Sequence, residues 1–69
     1  MKKFLVVIEK AGKNFSAYIP DVPGCVATGK TAADAKQAIK EALAFHLEGL
    51  AEDGQEAPDP EAQAEYIAV

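Results

Sequence analysis

The sequence predicts a single α+β domain over residues 1–69, of the order β-β-β-α-β, with one helix packed on a mixed four-stranded sheet in the strand order 3-2-1-4. Three observations lead there. A proline- and glycine-punctuated stretch, residues 20–31, separates short β-like runs from a long run of helix formers. The run after it repeats its apolar residues at helical spacing, and the sequence closes on a second short β-like run. With 69 residues there is room for one domain, and a chain of this size buries only about 60% of the surface its unfolded form exposes.

The first strand is expected over Lys3–Glu9, where Phe4 to Ile8 are apolar without interruption, a pattern that places the strand in the sheet interior with both faces covered. Residues 10–14 carry a turn signal, and Phe15-Ser16-Ala17-Tyr18-Ile19 then alternates as a half-buried strand does, so the two runs form a hairpin. At period two, Phe4, Val6 and Ile8 share a face with Phe15, Ala17 and Ile19, and this face is assigned to the helix. The opposite face shows Leu5, Val7, Ser16 and Tyr18, a small apolar patch of the sort that marks an interface.

Pro20 and Pro23 end strand pairing and Gly24 allows a turn into a third, very short strand, Cys25–Thr28. Thr31 then offers a helix N-cap, with Asp34 three residues on. The helix is expected from about Ala32 to Glu52, with Ala35, Ala38, Ile39, Ala42, Leu43, His46 and Leu50 on one side and Gly54 as its stop. Residues 53–62 form a polar, proline-containing connector, and Ala64–Val69 reads as a last strand. A right-handed crossover from the helix puts that strand parallel to the first, on its far side.

Charge is divided sharply along the chain. All seven lysines lie in residues 1–40 with three acids, a local balance of +4, whereas residues 41–69 hold eight acids and no base, a balance of −8. An acidic second half suits a basic protein partner and opposes nucleic acid. The lysines at strand ends and turns (Lys2, Lys3, Lys10, Lys13, Lys30) read as guards against edge-to-edge association, and the absence of arginine removes the commonest base-reading side chain. A lone Cys25 and the absence of a membrane-length apolar run point to the cytoplasm, and five apolar residues before Glu9 are too few for a secretory signal. One cysteine and no metal-ligand cluster leave oligomerisation, as a homodimer or homotetramer, as the way to add buried surface to a core worth only roughly 3–5 kcal/mol.

Catalytic signals are sparse. Cys25 and His46 form the one conceivable nucleophile and base pair, but a histidine inside an apolar stripe reads first as a packed or interface residue. A meander, helix and parallel strand also begin the ribonuclease H architecture, whose metal ions require clustered carboxylates; Glu9, Glu41 or Glu48, and Glu65 are the loose candidates for a metal-dependent nuclease. The first strand lacks an interior aspartate, no glycine loop cradles phosphate, and neither cofactor nor metal is expected.

Phe15-Ser16-Ala17-Tyr18-Ile19-Pro20-Asp21-Val22-Pro23-Gly24-Cys25, Thr28-Gly29-Lys30-Thr31, Glu41-Ala42-Leu43, His46-Leu47-Glu48-Gly49-Leu50 and Asp53-Gly54 followed by Pro58 and Pro60 together resemble the HicB antitoxin family over almost the whole chain. The resemblance implies a partial ribonuclease H-like core without nuclease residues. It further implies a non-enzymatic protein that binds and inhibits a small basic ribonuclease toxin, HicA. Many family members continue into a DNA-binding domain; none follows within these residues, so direct nucleic-acid binding by this chain is not expected. A solitary HicB-like domain with another ligand is the alternative. The residues expected to meet a partner are Leu5, Val7 and Tyr18, with Glu48 and Glu52 as charge partners.

Overall fold

The computed structural model describes residues 2–69. Three strands and one helix follow in the order β1 (Val7–Ala11), β2 (Asn14–Tyr18), β3 (Val26–Gly29) and α1 (Ala32–Glu52). The strands form an antiparallel sheet in the order β1-β2-β3. Gly12 takes the first place of the two-residue loop between β1 and β2 with φ 64°, a conformation that L side chains resist and that keeps the hairpin in register from Val7↔Tyr18 to Ala11↔Asn14.

The corner between β2 and β3 is built from two successive turns. The Val22 amide donates to the Ile19 carbonyl at 3.0 Å, and the Cys25 amide donates to the Val22 carbonyl at 3.1 Å. Pro20 and Pro23 each occupy the second position of a turn, where their fixed φ is already right. This corner is also core: Ile19, Val22 and Cys25 are buried, beside Ala17 of β2 and Ala35 and Ile39 of α1. Phe4, Val6, Ile8 and Phe15 pack against this cluster, so the strand faces assigned from period two are those observed.

Thr31 caps α1: its hydroxyl accepts from the Asp34 amide at 3.0 Å, with the Thr31 backbone extended. At the other end Gly54, φ 73°, reverses the chain. There the Gly54 amide donates to Ala51 and the Gln55 amide to Leu50 at 2.8 Å, the paired bonds of a Schellman stop. Between them, 21 residues of helix extend about 31 Å, whereas strands of four or five residues reach only about 13–17 Å. The first half of α1 therefore covers the sheet and the second half overhangs it.

Three expectations are corrected. The first strand pairs over Val7–Ala11 rather than Lys3–Glu9, because β2 ends at Tyr18, opposite Val7, just before Pro20. Residues 2–6 thus run beyond the end of their partner, although Phe4 and Val6 still pack on the core. The third strand is shifted by one residue, to Val26–Gly29. The fourth strand does not form: residues 64–69 lie outside any sheet, so the sheet has three strands, and β1 is an edge strand rather than an interior one. The cause lies in the connector. The Lys2 ammonium donates to the Ala57 carbonyl at 2.8 Å and pairs with Asp59 at 3.1 Å. The Ala62 amide then donates to both carboxylate oxygens of Asp21, at 3.1 and 3.2 Å, so the chain is held at the β2–β3 corner instead of along β1.

Candidate partner-binding groove

Toward its C-terminal half α1 runs past the end of the sheet and leaves part of its side open. Ala42, Phe45, His46, Gly49, Leu50 and Asp53 recur at helical spacing along one stripe, and with Gly24 and Cys25 of the corner and Val26 of β3 they line an open groove of about 410 Å³. Phe45 is 80% exposed and Val26 66% exposed, an unusual display of large apolar side chains for a domain this small. Gly24 and Gly49 keep the walls low, since a methyl group at either would meet nothing within 4 Å.

The groove lies at the negative end of the helix. Partial negative charge accumulates on the free carbonyls of a helix C-terminus, and basic side chains in the last turn ordinarily offset it. Here the last turn has no basic residue, while Glu48, Glu52 and the cap residue Asp53 stand at the helix end and Glu56 follows just beyond Gly54, all exposed. Among the described residues the ion pair is Lys2 with Asp59, so no lysine is spent on the helix end. An apolar floor with an acidic flank is the complement of a basic protein surface that carries an apolar anchor.

A second apolar area lies on the outer face of the sheet. Val7, Tyr18 and Val26 are register partners and form one row across all three strands; Tyr18 is 40% exposed and Val7 half-buried. Val26 lines both this shallow area and the groove. Of the five residues expected at the interface, Val7 and Tyr18 are brought together, Leu5 is half-buried in the unpaired run before β1, and Glu48 and Glu52 stand on the helix overhang. Phe45 and Val26, exposed at the groove, are not among those five. The available signal was an aromatic residue standing off the apolar stripe of the helix.

His46 is exposed, not packed in a stripe, because the sheet has already ended beneath it. Cys25 and His46 line the same groove, yet Cys25 is 5% exposed, and burial pushes its thiol up from the ordinary value of 9.0. The thiolate a nucleophile needs is thereby disfavoured. Glu9, Glu41, Glu48 and Glu65 are all exposed, and among the described residues no three His, Cys, Asp or Glu side chains stand where they could hold a metal ion. No helix is long and apolar enough to cross a membrane, among the residues described.

The comparisons agree with this architecture. A chain of the solved structure described as the HicA3 and HicB3 toxin-antitoxin complex superimposes with a TM-score of 0.66 at 34% identity, over 86% of this chain and 72% of that one. An uncharacterised 14.9 kDa protein of Haemophilus phage HP1, from its rep-hol intergenic region, is 40% identical over 62 residues, which is 90% of this chain and 47% of that protein. A UPF0150 protein of Helicobacter pylori strain J99 is 40% identical over 47 residues, 68% of this chain and 65% of that protein. The chain thus spans just under half of the length of the first of these curated relatives and about two thirds of the second. The model of the HicB-like antitoxins of bacterial toxin-antitoxin systems matches residues 4–69, and the chain belongs to that family.

Proposed function

We propose that this chain is a non-enzymatic, cytoplasmic antitoxin module that binds a small basic toxin of the HicA type through the groove at the end of α1 and thereby blocks its ribonuclease activity. The observation that carries the reading is the exposed Phe45 beside a helix C-terminus that has acidic residues and no base. Aromatic side chains in such a setting are the usual anchors of an interface, and a negative field around them speeds encounter with a cationic partner. Membership of the family and the likeness to a chain from a HicA3 and HicB3 complex support the same partner class. The β-β-β-α order with a free edge on β1 fits a partial ribonuclease H-like core that lacks the clustered carboxylates of a nuclease.

The test is capture of a small basic protein from the host lysate on this chain, followed by binding and inhibition measured with the recovered protein. Phe45→Ala is expected to weaken association about 10- to 30-fold. Glu52→Lys is expected to slow association and flatten its salt dependence. Retention of full affinity and full inhibition by both variants would move the interface elsewhere on the molecule. Failure to capture any basic partner would leave a solitary HicB-like domain.

A further inference from the structure

Two features of the fold are each incomplete and match one another. Among the described residues β1 pairs only with β2, so its other edge is free, and the run leading into it, residues 2–6, has no strand on either side. An edge of this kind is a template for another strand. The second feature is the tail beyond Ala62. Residues 63–69 are exposed throughout, Tyr66 and Ile67 among them, although β-branched and aromatic residues are those that strands favour. Among the described residues, half of the exposed large apolar side chains therefore lie in this tail, and none of its residues belongs to the core cluster.

We propose that residues 64–69 add as a strand to the free edge of β1 in a second copy of this chain, each copy giving one strand and receiving one. Closure within a single chain is opposed by the bonds already described: Lys2 holds the connector at Ala57 and Asp59, and Asp21 holds Ala62 at the corner. Pro58 and Pro60 further stiffen the approach. The six residues of the tail are matched in length by residues 4–9, the run leading into β1 and its first three residues; Glu61 and Glu65 accompany the tail, while Lys3 and Lys10 flank the receiving run with Glu9 between them. Such an exchange is reciprocal and closes after two copies, so it ends at a dimer instead of growing into a filament. None of the groove-lining residues belongs to the tail, and the dimer presents two grooves.

The experiment combines light scattering on the eluting chain with hydrogen exchange read by mass spectrometry, for the 69-residue protein and for Ile67→Pro. The expected result is twice the chain mass, slowed exchange over residues 64–69 and over residues 4–9, and, for Ile67→Pro, a single chain mass with the helical circular dichroism unchanged. Because Ile67 is exposed, the substitution removes a strand amide without disturbing the core. A monomer with a protected tail means the tail folds back on its own chain and overturns the proposal. So does a dimer whose tail exchanges freely, a monomer with an unprotected tail, or an Ile67→Pro chain that remains dimeric. None of these outcomes depends on the toxin, so the antitoxin reading stands or falls separately.

Discussion

Replacing Gly29 with alanine puts a methyl group where the first turn of α1 already stands. The added carbon would lie 2.7 Å from the Asp34 carbonyl carbon and 2.8 Å from the Asp34 Cβ, and closer still to the Ala35 amide nitrogen. Two of those three atoms are backbone, so no rotamer change relieves the overlap; β3 and α1 must move apart. Overpacking of a well-filled core costs roughly 1–3 kcal/mol, and a contact against backbone belongs in the upper part of that range. Set against a total of roughly 3–5 kcal/mol for a core of this size, the loss is about half of the stability. At about 4–8 °C per kcal/mol for a domain of 60–100 residues, the midpoint should fall by roughly 10–20 °C. Urea unfolding followed by far-ultraviolet circular dichroism reads the difference, with an unchanged slope as the sign that the unfolded state is not responsible. The same substitution at Gly49 makes an internal control. Gly49 lies mid-helix with nothing within 4 Å of the new methyl, so alanine there should stabilise by up to about 1 kcal/mol. A Gly29→Ala protein as stable as the parent, or a Gly49→Ala protein that loses stability to the same extent, would refute the packing argument.

Removing the helix cap with Thr31→Ala leaves the Asp34 amide without its 3.0 Å acceptor, and a loss of about 1 kcal/mol is expected in the same urea assay. Cys25 should react slowly with iodoacetamide in the folded protein and at an ordinary thiol rate in denaturant, since burial disfavours its thiolate. The same shift has a stability consequence: the folded state holds the thiol proton more tightly than the unfolded state does. The contribution is therefore full below pH 9.0 and is lost as pH rises through and beyond it. Cys25→Ser should remove that alkaline decline, and a wild-type stability that stays level from pH 8 to pH 10.5 would contradict it.

Much of the fold was legible because it rests on local chemistry. Thr31 and Gly54 bound the helix at the expected residues, since caps are decided by a few neighbouring atoms. Pro20 and Pro23 marked the corner, and their place in two consecutive turns follows from a fixed φ and a missing N–H. Period two sorted Phe4, Val6, Ile8, Phe15, Ala17 and Ile19 onto the helix side. The site was less legible. Phe45 declares itself by standing outside the apolar stripe, but the groove it borders exists only because a 21-residue helix is laid on strands of four and five residues.

The residues by themselves determined the hairpin, the corner, the helix with both ends, the division of charge and the resemblance to an antitoxin family. Each of these depends on neighbours in the chain or on a pattern carried along it. Only the tertiary structure decided that Val7, Tyr18 and Val26 form one row, that β1 is an edge, and that Ala64–Val69 makes no fourth strand within the chain. The tail has the composition of a strand, but a strand requires a partner for its backbone. Where the tail goes is set by side chains far away in sequence: Lys2 on the connector, and Asp21, 41 positions from the Ala62 amide it accepts.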